Sequence, residues 1–185
     1  MNRILRKQPL NPTVTLMEVD APLVARKAEP GQFIILRVDE SGERIPLTVA
    51  DFDREKGSVT IIFQIVGATT EKLNHLGEGD FIHDFVGPLG RATHTEGLKK
   101  VAVVGGGVGC AIAYPVTKKL VEQGAEVHAI AGFRNRVFSA EQKKIIYAEL
   151  NNNLVSASAG SGKTTVLTKP PRAFFFLGAR TMFVE

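Results

Sequence analysis

Two glycine-rich segments have the residue types and spacing to hold phosphate groups. The first, "VAVVGGGVGCAIAYP", places Gly105, Gly106, Gly107 and Gly109 between an apolar run and a helical stretch. At such a turn, glycines let a pyrophosphate approach the backbone N–H groups and the positive end of the helix. The second, "LVSASAGSGKTTVL", has the pattern of a phosphate-binding loop. The sequence therefore predicts two nucleotide-binding loops.

Cys110 lies just after the first loop, and it is the only cysteine in the chain. A thiolate at a helix N-terminus would be an activated nucleophile. The alternative, which we favour, is a small residue packed beneath the pyrophosphate. A single cysteine excludes an internal disulfide and any thiolate-bound cluster or zinc site within the chain, and the histidines show no metal-ligand spacing, so we predict no metal site.

The residues before the first loop predict an antiparallel barrel or sandwich. From Thr13 to about Gly90, apolar runs of strand length alternate with turns rich in Gly, Pro and Asp. One short segment, "TTEKLNHL", indicates a helix between two strands. The predicted strands are "TVTLMEV", "GQFIILRV", "IPLTVADF", "SVTIIFQIV" and "DFIHDFVG".

From Lys99 the pattern changes to a βαβ unit, which predicts a parallel sheet. A buried strand "KKVAVVGGG" precedes a helix from about Val108 to Gln123 and a strand "EVHAIAGF". Farther on, we predict a helix from about Ser139 to Leu150 and a strand "NLVSAS". The tail, "KPPRAFFFLGARTMFVE", indicates no element.

Charge and hydropathy narrow the class of protein. The 185 residues carry a formal net charge of only +4 with scattered basic residues, which is too little for a nucleic-acid footprint. No apolar run reaches the roughly 20 residues that span a bilayer, and "MNRILRKQPL" lacks the apolar core of a secretory signal. We expect a cytoplasmic protein with neither a membrane nor a nucleic-acid partner.

Three motifs in the β-rich part, "ERIPLT", "VGATTEKL" and "GPLG", resemble in order and spacing the ferredoxin reductase family of flavoproteins. Together with the glycine-rich loop, they look most like the electron-transfer subunits of sulfide dehydrogenase, NADPH-dependent ferredoxin oxidoreductase and dihydroorotate dehydrogenase. The resemblance covers roughly Met1 to Arg136. It implies a Greek-key FAD-binding barrel followed by a Rossmann-type α/β unit that binds NADP(H) or NAD(H).

The resemblance also implies which residues meet the flavin. Arg44 matches the arginine that pairs with the FAD pyrophosphate; taken alone, it fits a solvated turn residue equally well. Leu47 and Thr48 match positions beside the isoalloxazine ring.

A second set matches the turn and helix start that hold the FAD phosphates, although hydroxyls there would also cap a helix without any ligand. These residues are Gly67, Ala68, Thr69 and Thr70.

Arg134 and Arg136 fall where related reductases meet the adenosine 2′-phosphate, which favours NADP(H) slightly over NAD(H). The family further implies a larger iron–sulfur or flavin partner subunit, with ferredoxin as a possible acceptor. Relatives carry an iron–sulfur cluster bound by cysteines, which this chain cannot supply. We therefore expect an FAD-dependent NAD(P)H oxidoreductase subunit whose nicotinamide half is truncated and whose activity is impaired.

After Arg136 the sequence resembles a different family, the start of superfamily 1 helicases. "FSAEQKKII" matches their adenine-reading segment through Gln142, and "ASAGSGKTT" matches their Walker A loop with Ala157 at the first glycine position. The likeness implies that Lys163 contacts the β- and γ-phosphates and Thr164 the magnesium ion. We interpret the chain as a fusion, near Arg136, of a reductase-subunit sequence with the first segment of a helicase sequence.

We expect four segments along the chain. An FAD-binding barrel spans 1–96, an incomplete NAD(P)-binding unit 97–136, a helicase-like helix, strand and loop 137–169, and an unassigned tail 170–185. Three alternatives remain. The later segments could extend the βαβ sheet into a three-stranded nucleotide-binding module without reductase activity, the chain could be an ATP-binding helicase fragment, or the barrel alone could serve as an interaction domain.

Overall fold

The computed structural model describes residues 1–133, 155–158 and 174–177. The chain forms two compact units, Met1–Thr93 and His94–Glu185. The strands of the first unit are β1 (Asn2–Asn11), β2 (Val14–Asp20), β3 (Phe33–Arg37), β4 (Arg44–Asp53), β5 (Ser58–Gln64), β6 (Phe81–Ile82) and β7 (Asp84–Leu89). Its helices are α1 (Pro22–Ala25) and α2 (Ala68–His75).

The seven strands form one antiparallel sheet that curls into a nearly closed barrel. Their order is β6-β1-β2-β5-β4-β3-β7. The two edge strands, β6 and β7, are separated in the chain only by His83, whose N–H donates to the carbonyl of Val38 at 3.2 Å. Because the edges are consecutive in sequence, the sheet must turn back on itself. The predicted antiparallel barrel is confirmed.

Alternation along the strands places every second side chain in the barrel core. Met17 on β2, Ile34 and Leu36 on β3, and Ile61 and Phe63 on β5 are each at most 2% exposed. Leu73 of α2 joins the same cluster and is fully buried. The helix that carries the predicted phosphate-binding turn is thus packed onto the barrel through its own apolar side chain.

Two predictions in this unit were wrong in detail. Asn2–Asn11 form a strand, β1, where the sequence indicated none before Thr13. Its basic side chains and Pro9 hid the pattern, although Pro9 pairs opposite Thr15. The run "DFIHDFVG" forms two strands rather than one, because His83 is where the chain leaves one edge of the sheet for the other.

The second unit contains a parallel sheet and one helix in the part that the structure describes. The elements are β8 (Lys100–Gly106), α3 (Gly109–Glu122), β9 (Glu126–Phe133), β10 (Val155–Ser158) and β11 (Phe174–Leu177). Their order in the sheet is β10-β9-β8-β11. When the strands are counted from the first strand of this unit, this is the 3-2-1-4 order of a doubly wound fold. Val116 and Leu120 of α3 pack on Val101 and Val103 of β8.

The tail contributes an element that the sequence did not indicate. Phe174–Leu177 runs parallel to β8, with Phe176 opposite Val104, and so makes a fourth strand. The strand predicted within "NLVSAS" lies beside β9, with Ser158 opposite Phe133. The helix predicted from about Ser139 to Leu150 falls outside the described residues. Among the described residues, no helix is long and apolar enough to cross a membrane.

Candidate functional site

The structure brings two of the predicted FAD-binding segments into direct contact. Glu43, which precedes β4, accepts a hydrogen bond from the Thr69 hydroxyl of α2 at 3.2 Å between Oε2 and Oγ1. Arg44, the next residue, begins β4. The backbone at the start of β4 therefore lies close to the start of the helix, although Glu43 and Thr69 are 26 positions apart in the chain.

Arg44 belongs to a row of charged residues across three neighbouring strands. The register places Arg37 of β3 opposite both Arg44 of β4 and Asp84 of β7. One carboxylate oxygen of Asp84 lies 2.8 Å from Nε of Arg37 and 3.4 Å from a terminal nitrogen of Arg44. Asp84 thereby offsets the repulsion between two like charges on adjacent strands.

The ion pairs differ in strength. The hydrogen bond from Arg37 is the main reason why the pKa of Asp84 lies below its usual range. Arg44 makes the longer contact, and its side chain is 62% exposed. It remains accessible to an anion, and its planar guanidinium suits a pyrophosphate.

Leu47 and Thr48 lie in β4 on adjacent positions, opposite Ile34 and Phe33 of β3. Both are half-buried, and Leu47 packs against the barrel core. Leu47 therefore has a packing role whether or not a ring lies beside it.

At the start of α2, the Thr70 side chain has a structural role, whereas the backbone amides of the first turn could bind a ligand. The Thr70 hydroxyl accepts hydrogen bonds from the N–H groups of Val66 and Gly67 at 3.0 and 3.1 Å and donates to the Gly67 carbonyl at 2.8 Å. Thr70 is thus a helix-capping residue. The amides of the first turn, including those of Ala68 and Thr69, have no acceptor within the helix and form the donor set to which an anion could bind.

Gly67 itself is required by neither backbone conformation nor space. Its φ of −177° is extended backbone that any residue adopts. A Cβ built on it would meet nothing within 4 Å. A glycine here keeps the approach to the helix start open.

The three glycines at the end of β8 have different reasons to be glycine. A Cβ on Gly105 would lie 3.0 Å from the Cα and 3.2 Å from the backbone nitrogen of Cys110, so close packing favours a glycine there. Gly107 has φ of +55°, and its N–H donates to the Gly132 carbonyl of β9 at 2.8 Å. Gly106 has neither constraint, since a Cβ there would meet nothing within 4 Å.

Gly109 is buried at the start of α3, and Cys110 follows it. Burial raises the pKa of the Cys110 thiol to about 11. A thiol that stays protonated at neutral pH is a poor nucleophile. The geometry therefore supports a packed residue and argues against an activated thiolate.

Several sequence-predicted residues fall outside the described residues: Arg134, Arg136, Gln142, Lys163 and Thr164. Conversely, the sequence patterns indicated no role for Glu43, Asp84 or the pair Asp39–Lys72, which joins the β3–β4 connection to α2 at 2.7 Å. Only the strand register and the hairpin geometry bring these charges beside the predicted site, so no local motif could have revealed them.

Comparison with protein families gives a match in the later part of the chain. The model of the UvrD/REP helicase N-terminal domain matches residues 138–171. These are the residues in which the sequence resembles a helicase.

Curated relatives match a larger share of the chain than the helicase model does. A protein of Clostridium beijerinckii described as an uncharacterized protein in the adh 3' region is 45% identical over 168 residues, covering 87% of this chain and 56% of that protein. A dihydroorotate dehydrogenase B (NAD(+)) electron transfer subunit homolog of Thermotoga maritima is 42% identical over 136 residues, covering 74% and 48%. The chain spans about half the length of these relatives.

Two solved structures are also similar to this chain. The NADH-dependent reduced ferredoxin-NADP oxidoreductase, described in connection with flavin-based electron bifurcation, has a chain that is 38% identical, with a TM-score of 0.78, covering 87% of this chain and 58% of that one. Phthalate dioxygenase reductase, at 16% identity and a TM-score of 0.76, covers 95% and 59% and shares the fold.

Proposed function

We propose that the barrel unit binds FAD, because the chain is similar to ferredoxin reductase-type flavoproteins. The diphosphate would lie between the Arg44 guanidinium and the first-turn amides of α2. Leu47 and Thr48 would border the isoalloxazine ring.

The observation that carries this proposal is the contact between Glu43 and Thr69. It brings the strand that begins at Arg44 to the start of α2, so that the residue with the planar cationic donor directly follows the residue that contacts the first turn of the helix. Both are donors that recognise diphosphates. The residues fit the group, because Arg44 is exposed and Gly67 leaves open space where a side chain would stand.

We further propose that a pyridine nucleotide binds at the loop after β8. Gly105 and Gly107 build the turn, and Gly106 leaves room for a pyrophosphate at the backbone. We propose NADPH ahead of NADH, because Arg134 and Arg136 offer cations for a 2′-phosphate. The relatives' names include both NAD(+) and NADP.

When bound, FAD would accept a hydride and release electrons singly, and the protein's part is binding and orientation. The names of the relatives describe electron transfer subunits. We therefore propose that this chain delivers electrons to a larger partner subunit, through iron–sulfur centres of that partner or through ferredoxin. Because Cys110 is its single cysteine, the chain alone cannot supply the four thiolates that usually bind such a cluster.

The test is the absorption spectrum of the purified full chain, followed by identification of any released flavin. We expect a flavin band and FAD. Anaerobic addition of NADPH and, separately, NADH then measures which nucleotide bleaches the band. A folded, colourless protein that does not take up added FAD would overturn the assignment.

A second candidate function is ATP binding by the helicase-like segment, which the family match to residues 138–171 favours. We propose that reductase and helicase sequences join near Arg136, and that Lys163 and Thr164 serve a nucleotide phosphate and magnesium. Binding of a fluorescent ATP analogue that Lys163→Ala abolishes would support this function. Sequencing a single DNA molecule across the codons for Asn135 to Phe138 tests the join, and uninterrupted reductase sequence there would refute it.

A further inference from the structure

The β3–β4 connection contacts α2 through two side chains of the helix, Thr69 in its first turn and Lys72 one turn later, and we call these two contacts the clasp. Nζ of Lys72 lies 2.7 Å from Oδ2 of Asp39, and the Thr69 hydroxyl donates to Glu43. Both carboxylates belong to the connection that leads directly into Arg44. The clasp therefore links the two halves of the proposed diphosphate site.

The residues that directly follow Lys72 fix α2 to the barrel itself. Leu73 is buried in the barrel core, and the Thr15 hydroxyl of β2 donates to the Asn74 side-chain carbonyl at 2.7 Å. These contacts anchor the C-terminal half of the helix to the barrel. Thr69, in the first turn of α2, and Lys72, directly before Leu73, make the clasp contacts to the connection that leads into Arg44.

Hydrogen bonds within its own turn orient the Asp39 carboxylate towards Lys72. Its Oδ1 accepts hydrogen bonds from the Ser41 amide and hydroxyl at 3.1 and 3.0 Å, which orients the carboxylate within its turn. Its Oδ2 is thereby presented to Lys72. The hydrogen bond from Lys72 is the main reason why the pKa of Asp39 lies below its usual range, so the carboxylate is charged at neutral pH.

We propose that Asp39 and Lys72 are positioning residues for FAD: their ion pair aligns the start of α2 with Arg44 and so sets the affinity for the diphosphate. The inference rests on the proposed FAD site. A positioning role and a purely electrostatic role of Asp39 predict opposite changes in FAD affinity when its charge is removed. If the clasp acts, neutralising Asp39 weakens FAD binding; if only net charge matters, removing a carboxylate near a diphosphate strengthens it.

The experiment is a double-mutant cycle on the full chain, with FAD binding followed by quenching of flavin fluorescence. Asp39→Asn keeps an oxygen for the Ser41 turn but removes the charge, and Lys72→Gln removes the partner. We expect each single variant to bind FAD about twofold to fivefold more weakly, as for an exposed ion pair, and the double variant to be no weaker than either.

Two further measurements test the proposal: FAD binding at high salt and FAD binding by a control variant at another ion pair. Near 1 M salt, where the screening length falls to about 3 Å, the deficit of Asp39→Asn should shrink. The control is Glu29→Gln, which breaks the Arg54–Glu29 ion pair of similar exposure elsewhere on the barrel and should leave FAD affinity unchanged. Melting curves confirm that each variant folds.

The outcomes separate the inference from its premise. Wild-type chain that folds but does not bind FAD overturns both. Wild-type chain that binds FAD, together with Asp39→Asn that binds equally or more tightly, or with additive effects in the cycle, overturns the clasp alone.

Discussion

The two phosphate sites that we propose within the described residues lie in different units, and different chemical groups form them. In the barrel unit the donors include charged side chains: Arg44 stands beside Asp84, and Glu43 and Asp39 hold Thr69 and Lys72 of α2. In the second unit the loop after β8 is backbone alone, shaped by a close contact at Gly105 and a positive φ at Gly107.

This difference implies different sensitivities. A site that depends on exposed ion pairs responds to salt and to charge substitutions, and its residues contribute little to folding. A backbone loop tolerates changes of charge nearby but fails when a methyl group is added where atoms already touch. Gly67 and Gly106 are the shared feature, since the fold requires a glycine at neither position.

The largest effect on binding should come from Arg44→Ala. Loss of a charge-assisted contact, worth about 1.5–3 kcal/mol, should weaken FAD binding roughly tenfold to hundredfold while the melting temperature stays nearly constant. Fluorescence titration with FAD measures it. Arg54→Ala, which removes another half-exposed arginine of the barrel, is the control. An Arg44→Ala variant with wild-type affinity would show that the barrel site does not depend on this side chain.

In the second unit, Gly105→Ala should destabilise the fold. The added methyl would press against the backbone of Cys110, which a side-chain rotation cannot relieve. We expect the free energy of unfolding to fall by about 1–3 kcal/mol, measured by denaturant titration. Unchanged stability would mean that the start of α3 can shift away from β8.

Gly106→Ala should leave stability unchanged and weaken nucleotide binding, in contrast to Gly105→Ala. The new methyl group meets no protein atom, so stability should stay within about 1 kcal/mol of the wild type. Affinity for NADPH, measured by calorimetry, should fall roughly tenfold, since the methyl group keeps a pyrophosphate from the backbone. If both stability and affinity match the wild type, the loop does not bind the nucleotide.

The smallest effect at neutral pH should be at Cys110. With a pKa of about 11 the thiol should react with a disulfide reagent at pH 8 at least about a hundredfold more slowly than an exposed cysteine. The folded protein retains this proton after the unfolded chain has lost it. Its contribution to stability is therefore present below pH 9 and is lost as the pH rises from 9.0 towards 11.

Cys110→Ala tests that linkage. The variant should lose this part of the alkaline decline in unfolding free energy and should bind NADPH within about twofold of the wild type. Rapid modification of the wild-type thiol at pH 8 would contradict the burial of Cys110.

Where the sequence carried strong local patterns, it predicted the structure. The runs around Ile34, Ile61 and Val103 alternate or cluster as β3, β5 and β8 do, and the glycines after Val104 mark the β8–α3 turn. Strand β1 was missed because Lys7, Pro9 and their neighbours weaken its apolar alternation. Strand β11 was missed because a short run such as "FFFL" fits several environments until a partner strand is known.

For the candidate site, the residues of the glycine turns could be predicted, but their environment could not. Asp84 comes next to Arg44 only through the pairing of three strands, and Lys72 meets Asp39 only when α2 lies against the hairpin. Such contacts depend on tertiary register, which local residue patterns do not encode. The opposite roles of Gly105 and Gly106 likewise follow from atoms brought near them by the fold.

The measurement that tests the central claim most directly is an equilibrium titration of the full chain with FAD at low and high salt. The proposed barrel site predicts saturable binding of one FAD per chain that weakens as salt screens the exposed charges around Arg44. A folded chain that binds no FAD at either salt concentration would contradict the account.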